Sequence, residues 1–185
     1  MTFITDDQKD ILLALARQTL MSAIVRQVLP TVLPPLDSIY HEKHGCFVTL
    51  TQGPNKALRG CVGTLAPSDI LWNTVMIYAV KAALHDSRFS PLQAQELSQT
   101  AIDISILTPM VPVSSYHDII LGQHGVWLEK NGRSSVFLPE VAGDHGWNLP
   151  TMLTYLSQKA GLPPDAWQEG ARFKVFESIC FGEEV

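Results

Sequence analysis

The stretch LRGCVGTL (58–65) sets Arg59, Cys61, Gly60 and Gly63 into what otherwise reads as a β-strand. Strict alternation puts Arg59, Cys61 and Gly63 on one face, and Leu58, Gly60, Val62 and Thr64 on the other. Val62 suits a core, so Arg59 and Cys61 point toward solvent or a cleft. A fixed cation beside a thiol favours the thiolate, and an arginine also clamps a carboxylate or phosphate in two-pronged fashion. Glycine weakens a strand interior, so Gly60 and Gly63 signal a bulge or a close approach to the backbone. Together they suggest a recess with Arg59 at its edge, sized for an anionic group. A second reading stands beside the first: Cys61 is a small half-buried hydrophobe, and Arg59 pairs with a carboxylate.

Two further clusters hold titratable residues. HDSRF (85–89) packs His85, Asp86 and Arg88 into the exit of a helix. Bracing of the loop is the reading for Asp86, with Arg88 left open between an ion pair and a ligand contact. LGQHG (121–125) places His124 between glycines just before a strand. His124 and His85 are the candidate acid/base groups beside a Cys61 nucleophile; the alternative for His124 is a loop histidine bonded to backbone. Arg59, Gly60, Gly63, Thr64, Arg88, Arg133 and Glu140 make up the candidate ligand contacts. For Arg133 and Glu140 a surface or interlobe ion pair is the default. HEKH (41–44) lacks the spacing of a zinc motif and reads as a solvated loop. No metal or cofactor is expected, and no phosphate-loop, dinucleotide or nucleophile-elbow pattern occurs.

Composition bounds the function classes. The chain has 185 residues, 46% hydrophobic and 17% charged, which suits one globular domain over 1–185. A net charge of −5 without a basic stretch argues against nucleic acid, leaving only a local basic groove. Cys46, Cys61 and Cys180 form no CxxC, so free thiols in a reducing cytoplasm are expected. The N-terminus lacks the pattern of a secretory signal, and Arg17 and Arg26 break the most apolar helical stretch, so no membrane span is expected.

The elements that must hold these residues follow from periodicity. Thr5 and Gln8 have capping-box spacing, and Leu13, Ala16, Leu20 and Ile24 recur at helical spacing before Pro30. A proline-rich stretch, LPTVLPPLD, follows as an ordered loop or linker. CFVTLTQ (46–52) alternates, with Cys46, Val48 and Leu50 on one face, and pairs with 58–65 as a hairpin. A helix capped by Ser68 or Asp69 runs to about residue 85 with the stripe Leu71, Val75, Tyr78, Ala82. The strand 101–107 turns Ile102, Ile104 and Ile106 inward. Then the order repeats: strands 125–130 and 133–138 flank Asn131-Gly132, a strong hairpin signal. A helical region spans 141–160, opened in its main part by Pro150 and ended by Gly161, and 171–180 is a last strand. The expected fold is α+β: an N-terminal helix plus two β-β-α-β repeats, forming one largely antiparallel sheet flanked by helices.

These motifs resemble a known family. LRGCVGTL is similar to the RGCIGT signature of the AMMECR family, named for a human chromosomal region linked to Alport syndrome, midface hypoplasia and elliptocytosis. HDSRFSPL resembles its DPRFPP segment, with Ser87 in place of a proline. GQHGVWL, the basic position at Arg133, LPEVAGDHGW (with Glu140 where Gln is common) and LSQKAGL follow in the family's order, so the resemblance runs from about residue 5 to 180. It implies two lobes around a cleft lined by the RGC segment, and association with radical-SAM and Memo-type proteins. It implies no established reaction. Two functions therefore stand open: an enzyme or enzyme subunit using Arg59 and Cys61, or a non-catalytic binding module that grips a small anionic ligand or a partner protein.

Overall fold

The computed structural model describes residues 3–183. It divides into two units: one runs through Ile106 and resumes at Ile179, and the other spans Leu107–Ser178.

In the first unit, α1 (Asp6–Met21) opens with the expected capping box. The Thr5 hydroxyl accepts from the Gln8 amide, and the Gln8 side chain accepts from the Thr5 amide. Its buried stripe is Leu12, Leu15, Ala16, Thr19 and Leu20, one residue off the expected Leu13 start. A π-helical turn (Ser22–Arg26) closes on Gln27 at φ 54°. The short α2 (Ser38–His41) leads to β1 (Cys46–Gln52) and β2 (Ala57–Thr64). Next comes α3 (Leu71–Leu84), whose N-cap is Ile70 and not Ser68 or Asp69; Asp69 instead accepts from the Ile70 amide and the Asn73 side chain. A 3₁₀ turn (Ala94–Gln99) precedes β3 (Thr100–Leu107). Cys46, Val48, Leu50, Ile102, Ile104 and Ile106 are fully buried against Leu71, Val75 and Ala82 of α3 and the α1 stripe. Alternation in β1 and β3 thus placed the core face correctly.

The second unit holds β4 (Val111–Val113), β5 (Gly125–Lys130), β6 (Arg133–Phe137), α4 (Glu140–Asp144), α5 (Leu149–Lys159) and β7 (Arg172–Phe176). Asn131 and Gly132 both have positive φ, 52° and 73°, as the two-residue hairpin turn requires. The expected helical region over 141–160 is a short helix followed by the main one, which Pro150 was expected to open. Asn148 caps the second through its side chain and Pro150 sits in its first turn. Val126, Leu128, Phe173 and Val175 pack with Met152, Leu153 and Leu156.

Two four-stranded sheets replace the single expected one. Their strand orders are β2-β1-β3-β8 and β4-β7-β5-β6, with β8 spanning Ser178–Gly182. The stretch read as one strand over 171–180 breaks at Glu177, so β7 and β8 serve different sheets. Each repeat needs a partner for the free edge of its third strand. Fusing the sheets was one way to supply it; the chain instead gives β3 the neighbour β8 and gives β7 the neighbour β4. The three-residue β4 was missed because it is short and contains Pro112. A proline is tolerated at such an outer position. Among the described residues no helix is long and apolar enough to cross a membrane.

Candidate functional site

Strand β2 is an edge of the first sheet, so some of its backbone groups face away from β1. At Cys61 both are taken by one loop. The Asp86 carboxylate accepts the Cys61 N–H at 2.8 Å, and the Arg88 guanidinium donates to the Cys61 carbonyl at 3.2 Å. Arg88 also donates to Asp86 through Nε at 3.0 Å and Nη2 at 2.7 Å. The HDSRF loop thereby substitutes for a neighbouring strand at one residue of the RGC motif. Asp86 is buried, and its carboxyl is held well below the usual range, first by the Arg88 hydrogen bonds and then by the Cys61 amide. The pair raises the Arg88 pKa in return. The Arg88 side chain is 55% exposed, and no described residue accepts from its Nη1.

The Cys61 thiol is half-buried. Its sulfur accepts a hydrogen bond from the Thr49 hydroxyl at 3.2 Å, and Thr49 is its register partner on β1. No histidine bonds this sulfur among the described residues. Cys46 is fully buried, and burial pushes its thiol up to about 12.

Strict alternation does not hold at Arg59. The β1–β2 register shifts between Leu50 and Thr51: Leu50 pairs with Gly60 and Thr51 with Leu58, leaving Arg59 without a partner on β1. A bulge of this kind re-aims the extra side chain. Arg59 is 12% exposed and makes a two-pronged pair with Glu96, at 2.8 and 3.1 Å. Glu96 also accepts from the Gln93 amide and the Gln52 side chain. These bonds, Arg59 first, hold its carboxyl down at about 2. Arg59 pairs with a carboxylate, as the second sequence reading had it.

The glycines open no recess. A Cβ at Gly60 would overlap the backbone carbonyl of Ala82, because α3 lies directly on that position. A Cβ at Gly63 would overlap the ring of Phe47, its register partner on β1. The Thr64 hydroxyl accepts from the Ala66 amide as the strand exits. His85 ends α3 with an exposed side chain.

The remaining candidates belong to the second unit. His124 Nδ1 accepts from the Ile120 amide at 3.1 Å, the backbone-bonding role read as its alternative. Arg133 donates to the Gly161 carbonyl in the turn just beyond α5, where an ion pair was the default. Glu140 is the exposed first residue of α4. The HEKH stretch is not fully solvated. His44 is 4% exposed, lies 3.1 Å from Glu42 and meets the Phe3 ring edge-on. No group of metal-ligating side chains is present among the described residues.

Two features were missed in the sequence. Neither follows from counting: the register carried back from the turn without a bulge sets Cys61 opposite Val48, and the shift at Arg59 is what brings Thr49 opposite Cys61. The Arg59–Glu96 pair spans 37 residues, which no local spacing encodes.

The model of the AMMECR1 family matches residues 13–181. Protein MJ0810 of Methanocaldococcus jannaschii is 35% identical over 159 residues, covering 82% of this chain and 79% of that protein. Protein MK0488 of Methanopyrus kandleri is 33% identical over 189 residues, covering 98% and 91%. Among solved structures, uncharacterised protein PH0010 of Pyrococcus horikoshii aligns with a TM-score of 0.79 at 32% identity, covering 98% of this chain and 94% of that one.

Proposed function

The chain belongs to the AMMECR1 family, and within it we propose that this protein is a binding module whose Arg88 holds an anionic group beside Cys61. The observation that carries this reading is the unequal use of the two arginines. Arg59 is spent on Glu96 and nearly buried, whereas Arg88 is fixed on one side by Asp86 and offers Nη1 on the other. A cation already immobilised loses little conformational freedom when a carboxylate or phosphate docks on it. The thiol bonded by Thr49, with no imidazole partner, supports binding over nucleophilic catalysis. The anion is a small acid or the carboxylate of a partner protein. A radical-SAM or Memo-type partner is one source of such a carboxylate.

Paired alkylating agents test the reading. Iodoacetate is anionic and iodoacetamide neutral, and both report on the same sulfur. The ratio of their rates at Cys61, followed by mass spectrometry, is expected to exceed that at the exposed Cys180 severalfold. Arg88→Gln is expected to abolish the excess and Arg88→Lys to keep part of it, with folding checked by thermal unfolding. Equal ratios at the two cysteines would remove the anion site.

A further inference from the structure

The face of the second sheet opposite its Val126 and Leu128 core side carries a cavity of about 270 Å³ lined by Pro112, Trp127, Glu129, Arg172 and Lys174. The sheet register builds it. Lys174 pairs with Trp127 on one side and with Pro112 on the other, and Arg172 pairs with Glu129 one step along the same face. The Lys174 ammonium lies 4.2 Å from the centre of the Trp127 ring, and no described residue accepts a hydrogen bond from it. Its three donors remain available above an electron-rich indole. Arg172 is 79% exposed and touches Glu129 through Nη2 alone, at 2.5 Å. Its Nε and Nη1 have no acceptor among the described residues.

We infer that this groove binds a free nucleoside monophosphate. Three features call for three parts of one molecule. The proline and the indole offer a flat apolar surface for a base once the flexible Lys174 side chain swings its ammonium from the ring onto the phosphate. Lys174 and Arg172 offer donors with spare capacity for a phosphate. Glu129 offers an acceptor for an amine or hydroxyl. A simple acidic peptide would leave the flat surface unused, and an uncharged aromatic would leave the cations unused. The volume falls just below the usual range for small-molecule sites, about 300–1,000 Å³, so the occupant is small and partly exposed to solvent. A net charge of −5 with no basic stretch gives no track for a strand's successive phosphates, so the free ligand is the occupant. The inference does not rest on the reading of Arg88.

The probes are AMP, adenosine and a labelled A10 RNA, titrated against the full chain by calorimetry. AMP is expected to bind and adenosine to bind more weakly. Trp127→Ala should weaken both ligands about tenfold, as loss of a base–aromatic stack does. Trp127→Phe keeps a ring, and should keep most of the affinity and the fold. Lys174→Gln should weaken AMP severalfold and leave adenosine no weaker, a split that a merely structural lysine would not produce. Lys43→Gln, in an exposed loop of the first unit, should change nothing. The inference is overturned if AMP shows no saturation at millimolar concentration, if Lys174→Gln weakens both ligands equally, or if the RNA binds more tightly than AMP.

Discussion

The two sheets solve one problem with different chemistry. In each, a hairpin is followed by helices and by a strand that returns to pair with the hairpin's first strand, giving β2-β1-β3 and β6-β5-β7. In each, the hairpin's second strand is an outer edge, and a helix carbonyl approaches it. Where Ala82 meets Gly60, the backbone fits only because Cβ is absent. Where Leu156 meets Ser135, a hydroxyl bridges the gap by donating at 2.6 Å. In each, too, a cation closes an edge carbonyl: Arg88 on Cys61, and Lys159 on Val136 at 3.0 Å. Lys159 rests on the Phe137 ring, 4.7 Å from its centre, and its recorded hydrogen bond goes to Val136. Arg88 is gripped by a buried carboxylate and stands beside a thiol. Protecting an edge needs only one cation. The carboxylate and the thiol exceed that need, which is why function is assigned to the first edge.

The comparison breaks most easily at the helix contacts. Gly60→Val drives a branched side chain into the backbone of α3, and backbone cannot step aside. Overpacking of this kind costs about 1–3 kcal/mol in cores that can adjust, and more is expected here. Denaturant unfolding should show a loss of about 3 kcal/mol or outright failure to fold. Ser135→Ala removes one hydroxyl bond and leaves room, so about 1 kcal/mol is expected. Similar losses at the two positions would mean the helices are free to shift.

The edge clamp comes next. Asp86→Asn keeps the shape but weakens the charge-assisted bonds to Arg88 and the Cys61 amide, for an expected loss of about 2 kcal/mol. Its acid counterpart is Glu96. The folded carboxyl sits at about 2 against an ordinary 4.5, so its contribution is fully present above about 4.5 and disappears as pH falls toward 2. The stability gap between wild type and Glu96→Gln, measured in urea, should be constant at neutral pH and close across that window. A gap that widened on acidification would show that Glu96 is not held by Arg59.

What the sequence made legible was whatever depends on period and local chemistry. The capping box at Thr5, the buried face of Cys46, Val48 and Leu50, and the Asn131-Gly132 turn all follow from neighbours a few residues apart. The site was only half legible for the same reason. Gly60 and Gly63 signalled a bulge or close approach, and both occur, yet alternation carried through the bulge gave Arg59 the wrong surroundings. Asp86 closing on Cys61 spans 25 residues and depends on how α3 returns to β2, which no period encodes. The division into two sheets rests on Glu177, which interrupts the apolar series Phe173, Val175, Ile179 and Phe181, and one polar residue in an alternation does not announce a change of partner.

The smallest effect is the sharpest test of what is special about Cys61. Lys159→Met keeps an unbranched apolar stem over Phe137 and removes only the donor to the Val136 carbonyl. The lysine is exposed, so water replaces the lost donor, and a loss below about 1 kcal/mol is expected. The edge of β6 then presents an uncovered carbonyl beside the exposed Arg133 and Ser134, and charge and short length still guard it. Size-exclusion chromatography should therefore show an unchanged elution volume, while Asp86→Asn, which loosens the hold on both the N–H and the carbonyl of Cys61, should raise the tendency to self-associate. If Lys159→Met proves as costly as Asp86→Asn and associates as readily, the two edges are equivalent. Asp86 and Arg88 would then be edge protection alone, and the claim that they hold an anion site would rest only on the alkylation ratio at Cys61.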